Sequence, residues 1–338
     1  KTTMKNIGLD FYLLSDRISG SFDFFRNDIT RLLGYASTSP LAIYETRPIN
    51  GGHYYRRGWE LMVDTKNLVG EFTWDTSLTF SKTNSFWKER LPNYDYQIYQ
   101  QRENEPMSAY YYYNVTGIIN TDRSNMPESQ KTLQAEAQLP GCPIIEDKNK
   151  DGKIDENDVY MKDNSPAIYV GIGNTFTYKR FEFSFFMYGQ FGIQKYNIAY
   201  SAAQAGPLAV DYPENSNKFA YRLWNSQTNP NGSRPGLAIG KMGALPGNAW
   251  VNADRENASF MRMRNITLAY NLAGNILGSL QRYVRNIKVY VDAQNPFILT
   301  KFQGFDPEIY TGGGGASGGS RGEYPQTRTF SLGANITF

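Results

Sequence analysis

Through the closing stretch from Thr329 to Phe338, polar and apolar side chains alternate without a break. Phe330, Leu332, Ala334, Ile336 and Phe338 fall on one side; Ser331, Gly333, Asn335 and Thr337 fall on the other. A side-chain period of two is a strand with one greasy and one wet face. The pattern recurs along the chain. Ile7, Leu9, Phe11 and Leu13 alternate with Asn6, Gly8, Asp10 and Tyr12; Ile18, Gly20, Phe22 and Phe24 follow a turn at Ser15-Asp16. Further rows are Trp59-Leu61-Val63, Phe72 to Phe80, Val170-Ile172-Phe176-Tyr178, Phe181-Phe183-Phe185-Met187, Phe260 to Leu272, and Ile287-Val289-Val291-Ala293. With the terminal row this predicts about nine strands, each long enough to cross a bilayer at a tilt.

The connections alternate in length. Short turns are predicted at Ser15-Asp16, Asn67 to Gly70, Lys179-Arg180 and around Ala273 to Val284. Long polar segments are predicted near 28–55, 86–166, 196–257 and 300–326. Short turns at one rim and long loops at the other are how outer-membrane barrels are built. The expected fold is therefore all-β, a transmembrane antiparallel β-barrel. Bacterial barrels have even strand counts, so nine strands are expected to be the C-terminal portion of a larger one.

Composition agrees with this reading. No run of apolar residues is long enough for a transmembrane helix, and alternating strands average out as polar. Tyr (25) and Phe (20) far outnumber the single His and single Cys, which suits aromatic girdles better than a metal or thiol enzyme. Cys142 alone excludes an internal disulfide. A net charge of +3 gives no ground for nucleic acid as a partner. The opening residues have no apolar leader core, so the chain is expected to begin within a longer one.

Several segments carry a family resemblance. Asp292 to Glu308, with Gln294-Asn295-Pro296-Phe297, Thr300-Lys301-Phe302 and Asp306-Pro307-Glu308, resembles the penultimate strand and following loop of SusC/RagA-type TonB-linked transporters of Bacteroidota. Asp147 to Asp155, Gly173 to Lys179 and Tyr324 to Thr329 resemble three more of that family's segments, in the expected order. Asn50-Gly51-Gly52 followed by Gly58-Trp59-Glu60 resembles a further strand. The resemblance implies a barrel of 22 strands with an N-terminal plug, energised through TonB and capped by a SusD-like surface lipoprotein that gathers glycans or oligopeptides. Plug, TonB-contacting segment and first strands are expected outside these residues. Outer-membrane lipid and the rest of the barrel are the other expected partners.

Two groups are candidate sites. Asp147, Asn149, Asp151, Lys153 (through its carbonyl), Asp155 and Asp158 occupy positions 1, 3, 5, 7, 9 and 12 of a calcium-loop spacing, with Gly152 at the sharp turn. Asp158 stands where a longer Glu is usual, and no flanking helices are expected. The reading is a structural calcium ion that stiffens one loop; the alternative is a metal-free loop folded by Asx turns. Tyr94, Tyr96, Tyr99, Tyr110, Tyr111, Tyr112 and Tyr113 crowd one long loop. Tyrosine rings stack on sugars and still hydrogen-bond, so they are candidate substrate contacts; packing of the loop or the lipoprotein is the alternative. Asp10, Asp23, Glu60, Asp64, Asp75, Glu182 and Asp292 are expected to form a hydrated lumen wall.

No acid/base constellation is evident: His53 has no Asp or Ser in a nucleophile pattern, and Gly312 to Gly319 lacks the context of a phosphate loop. The expected function is thus TonB-dependent nutrient uptake, not enzymatic, at the outer membrane. The alternative is a non-transporting scaffold within a larger outer-membrane assembly.

Overall fold

Nine strands hydrogen-bond in sequence order into one antiparallel sheet. They are β1 (Thr2–Leu13), β2 (Ile18–Ser37), β3 (Thr46–Leu68), β4 (Phe72–Glu89), β5 (Ile168–Tyr178), β6 (Phe181–Phe191), β7 (Phe260–Ala273), β8 (Asn286–Gln294) and β9 (Thr329–Thr337). A short piece, Ile298–Thr300, pairs with the far end of β7. The computed structural model describes residues 1–38, 43–91, 96–100, 104–197, 221–236, 239, 242–243, 245–253, 255–273, 277–279, 282–304, 306–308 and 326–338. All nine predicted strands are present, joined at one rim by turns at 14–17, 69–71 and 179–180. The turn at 14–17 is tight enough that Leu14, Ser15 and Asp16 all take positive φ.

Between bulges at His53/Tyr54, Lys66/Leu68 and Phe186/Met187, the register carries each face from strand to strand. Residues directly opposite one another share a face, and the pairs Leu9↔Phe22, Phe22↔Leu61, Leu61↔Phe80 and Phe80↔Val170 run an apolar row across five strands. On the same face a second apolar row, Trp74↔Phe176↔Phe183↔Leu268↔Val291↔Leu332, runs to the last strand. Most of these side chains are exposed, forming an apolar face far larger than a water-soluble surface carries. The opposite face reads Asp23↔Glu60↔Ser81 and Ser184↔Thr267↔Asp292↔Ser331. A one-residue slip anywhere would exchange the two faces, which is why the register is so strictly kept.

Both edges of the apolar band carry aromatic rings. Near the short turns Phe176 packs against Phe72, Trp74, Phe183 and Phe185, at 5.6–6.4 Å between ring centroids, and Phe181 meets Tyr270 at 4.7 Å. At the opposite edge Tyr55 stacks on Phe86 at 5.3 Å, beneath Arg26 and beside Arg57. Asn174 is a polar residue in the outward row of β5, and its Oδ1 accepts from Trp74 Nε1 at 2.8 Å and from Thr76 Oγ1, opposite it, at 2.7 Å. Its side-chain acceptor is satisfied on the sheet itself, so it can sit at a lipid edge.

Two predicted boundaries move. The segment near 28–55 is mostly ladder: β2 and β3 stay paired out to Ser37↔Thr46, and the connection proper is 38–45. Strand β4 runs on to Glu89, so the next connection begins later than residue 86. Beyond the bilayer neither face need be apolar, and alternation vanishes although pairing persists.

The two longest connections, between β4 and β5 and between β6 and β7, fold together. Ala109–Tyr113 lies between Tyr160–Asp163 and Trp250–Val251 in a three-stranded sheet. Val115–Ile118 pairs with Pro143–Ile145, and Gln194–Tyr196 with Arg255–Asn257. One buried core joins Tyr99, Tyr113, Ile119, Ile145 and Val159 of the first connection to Met242, Leu245 and Ala249 of the second. The long-loop rim thus bears a packed cap.

Candidate functional site

The loop tyrosines divide by burial. Tyr113 is fully buried, and its hydroxyl lies 2.9 and 3.0 Å from the carbonyls of Asp155 and Pro246. Burial, with Asp158, Asp155 and Glu156 nearby, pushes its phenol well above the usual range. Tyr99 is also buried; it donates to the Gly247 carbonyl at 2.6 Å and packs on Tyr111 at 5.0 Å. These two hold the cap together. Tyr96 lies under Arg90, 4.8 Å from its guanidinium. Tyr94 lies outside the described residues.

Tyr110 and Tyr112 belong to a column the sequence does not announce. Arg255 sits 3.6 Å over Tyr110, Tyr110 stacks on Tyr112 at 5.2 Å, Tyr112 on Tyr160 at 5.7 Å, and Lys148 covers Tyr160 at 4.7 Å. Ring faces are thereby occupied from cation to cation. A sugar stacking here would have to displace a neighbour. Trp250, opposite Tyr112 in the small sheet, is the exposed aromatic of that face.

The acidic loop folds as a set of Asx-type turns. Asp147 accepts from the amides of Asp151 (3.2 Å) and Gly152 (2.8 Å), Asn149 from Asp151, and Asp151 from Lys153. Asp158 is fully buried and accepts from the amides of Lys148 (2.8 Å) and Asp155 (2.9 Å). Gly152 has φ +84°, the sharp turn expected of it. The donor set is all oxygen, as calcium needs. Among the described residues, however, no three His, Cys, Asp or Glu side chains converge as a metal site.

The expected lumen acids line the wet face. Asp23 accepts from Asn6 at 3.1 Å, Asp292 from Thr267 at 2.7 Å, and Glu182 pairs with Lys288 at 2.9 Å across β7. Asp16, Arg17, Asp64, Lys66 and Asp75 border a hollow of about 400 Å³ near the short turns. His53 does meet an aspartate, Asp28, at 3.3 Å, brought near by the β2–β3 pairing rather than by sequence proximity. That aspartate is held by Arg26, and among the described residues no serine or thiol joins the pair.

Sequence reasoning missed Arg262. Almost fully buried on β7, it makes two hydrogen bonds to Asp306, at 2.7 and 2.8 Å, and also meets Glu308. The Asp306-Pro307-Glu308 stretch is therefore the anchor of the last long connection. A second missed feature is a groove of about 630 Å³ on the cap, between 115–125, 224–235 and 252–253. Trp224, Asn231, Ser233 and Asn252 line it, and among the described residues none of its lining is charged. The indole of Trp224 is set by glycines: a Cβ at Gly141 would lie 2.8 Å from it, and one at Gly236 3.4 Å.

A nine-strand meander with a continuous lipid-type face, short turns at one rim and a packed cap at the other is a segment of an outer-membrane β-barrel wall. The comparisons agree. The chain is 26% identical over 98% of its length to TonB-dependent receptor P3 of Formosa agariphila, and 28% identical over its whole length to TonB-dependent receptor SusC of Bacteroides thetaiotaomicron. It spans about a third of each (34% and 32%). No family model matches. Solved structures of the RagAB peptide transporter share the fold, with TM-scores of 0.72 and, in a closed-closed state, 0.73, at 18% identity; all of this chain covers 35% of theirs. The chain is a homologue of TonB-dependent receptors, SusC among them. The relatives are named as receptors or transporters, none as an enzyme.

Proposed function

We propose that this chain is the C-terminal barrel wall and surface cap of a TonB-dependent importer in the bacterial outer membrane, working with a SusD-like surface lipoprotein to take up glycans or oligopeptides. The observation that carries the proposal is end-to-end similarity to TonB-dependent receptors in a chain whose paired strands sort one face as lipid-type and the other as lumen-type. Between the two cargo classes, the uncharged groove around Trp224 favours neutral saccharide: an indole beside Asn and Ser side chains suits sugar rings and hydroxyls. The charged termini of a peptide would find no charged partner among its described lining residues. The Tyr110–Tyr112–Tyr160 column serves as a strut of the cap, and Trp250, exposed in the same small sheet, is the aromatic left to meet a ligand.

The test uses the full-length protein in its own cell. Deleting its gene should abolish uptake of its cargo saccharide, re-expression should restore uptake, and an uncoupler of the proton-motive force should stop it. A tagged copy should bring down a surface lipoprotein in stoichiometric amount. Uptake that ignores both deletion and uncoupler, while the tagged copy still sits in an intact assembly, would establish a scaffold instead.

A further inference from the structure

We infer that the outward face carries a built binding row for net-anionic, phosphate-bearing lipid headgroups, at the edge of the apolar band nearest the cap. The observation is a switch made at the same level on adjacent strands. Climbing the outward face, β1 goes from Ile7 to Lys5, β2 from Phe24 to Arg26, β3 from Trp59 to Arg57, and β4 from Phe80 to Lys82. The register aligns these steps: Ile7↔Phe24↔Trp59 is the last apolar row, and Lys5↔Arg26↔Arg57 is the row above it. Lys82 stands opposite Trp59, and Asn84 opposite Arg57.

Three cations directly opposite one another on neighbouring strands lie roughly 5 Å apart and repel. One carboxylate relieves the row: Asp28 holds Arg26 at 3.0 Å. Among the described residues Lys5, Arg57 and Lys82 have no ion-pair partner, and Arg57 rests on the Phe86 ring at 5.2 Å. The arrangement is short of anions and faces the bilayer, so the missing anion comes from the membrane. Long basic side chains rising from an apolar band reach the headgroup level, where they meet phosphate. The short-turn edge of the same strands differs. There the outward positions are Leu13, Ile18, Thr65 and Thr76, without a basic row. The leaflet on the cap side is thus singled out, and the row orients the barrel as well as anchoring it. This inference rests on the outer-membrane placement proposed above, but not on transport.

The test is retention of a phosphate lipid by the purified full-length protein. Wild type and a Lys5→Gln/Arg57→Gln variant would be reconstituted in phosphatidylcholine nanodiscs doped with phosphatidic acid, and bound lipid counted by native mass spectrometry. At about 1 kcal/mol per basic residue, the variant should hold phosphatidic acid about 30-fold more weakly. Inorganic phosphate at the same concentration should not displace it. Equal retention by the variant, or no retention by wild type, overturns the inference; displacement by inorganic phosphate overturns the lipid as the source. Gel mobility that shifts on heating reports membrane folding separately. Folded protein that retains no lipid sinks the row alone, and protein that never folds in a bilayer sinks the outer-membrane reading.

Discussion

Single side chains in the cap show how little slack its core has. Cys142 is fully buried, its thiol 3.4 Å from the Glu136 carbonyl, and burial pushes its ionisation up from 9.0 to about 11. Only the thiolate reacts with disulfide reagents, so Ellman's reagent at pH 8 should leave the native protein unlabelled and label it once the cap is unfolded. The sign of the linkage follows from the raised value. Its contribution to stability is complete below pH 9.0 and disappears as pH rises through about 11, and Cys142→Ala should flatten that alkaline loss. Arg262 makes a harsher case. Its removal strands the carboxylates of Asp306 and Glu308 in a site with little water. Breaking a buried pair from one side costs about 3–5 kcal/mol. Arg262→Ala should therefore free residues 301–308 from the wall, read as faster proteolysis there, whereas Asp306→Asn should do so more mildly. Equal protection in Arg262→Ala and wild type would show that the loop is held elsewhere.

At the level of elements, what can be read from sequence depends on which environment dictates the pattern. Within the bilayer outward positions are predominantly apolar, so Leu9, Phe22, Leu61 and Phe80 betray their strands and even their shared face. Above it the requirement lapses, and the paired run from Thr30↔His53 to Ser37↔Thr46 looks like a polar loop. Asn174 breaks its row because Trp74 and Thr76, about a hundred residues away in sequence, satisfy it. Arg262 was illegible for the same reason: its partners lie across a loop. Motif spacing, by contrast, singled out the 147–158 stretch, which folds as turns, but could not say whether its oxygens serve amides or an ion. We propose that calcium, where available, draws these side chains together and stiffens the turn beneath Lys148 and Tyr160. The intact protein should bind calcium in a titration, and Asp147→Ala/Asp151→Ala should lose that binding. Equal binding by both, or binding by neither, would leave the turn held by its own hydrogen bonds alone.

For the molecule as a whole, the decisive property is that one sheet has two solvents, and adjacent residues sample them alternately. Leu332 lies mid-band in the row Leu268↔Val291↔Leu332 and is 83% exposed. Ser331, its neighbour, opposes Asp292 on the wet face. An arginine on the lipid face of a barrel near the bilayer midplane costs about 2–4 kcal/mol, while lumen positions tolerate charge. Leu332→Arg in the full-length protein should thus lower the folding free energy in vesicles by about that amount, read as a lower urea midpoint. Ser331→Arg should leave the midpoint nearly unchanged, because its guanidinium can reach Asp292 and water. The comparison is sharp because both variants add the same side chain to the same strand one residue apart, so propensity, net charge and chain position cancel. If Ser331→Arg were the damaging one, the two faces would be assigned the wrong way round, and with them the lipid headgroup row at Lys5, Arg26 and Arg57. Equal damage from both would mean that the strand is enclosed by protein on each side, as at a packed interface rather than in a barrel wall.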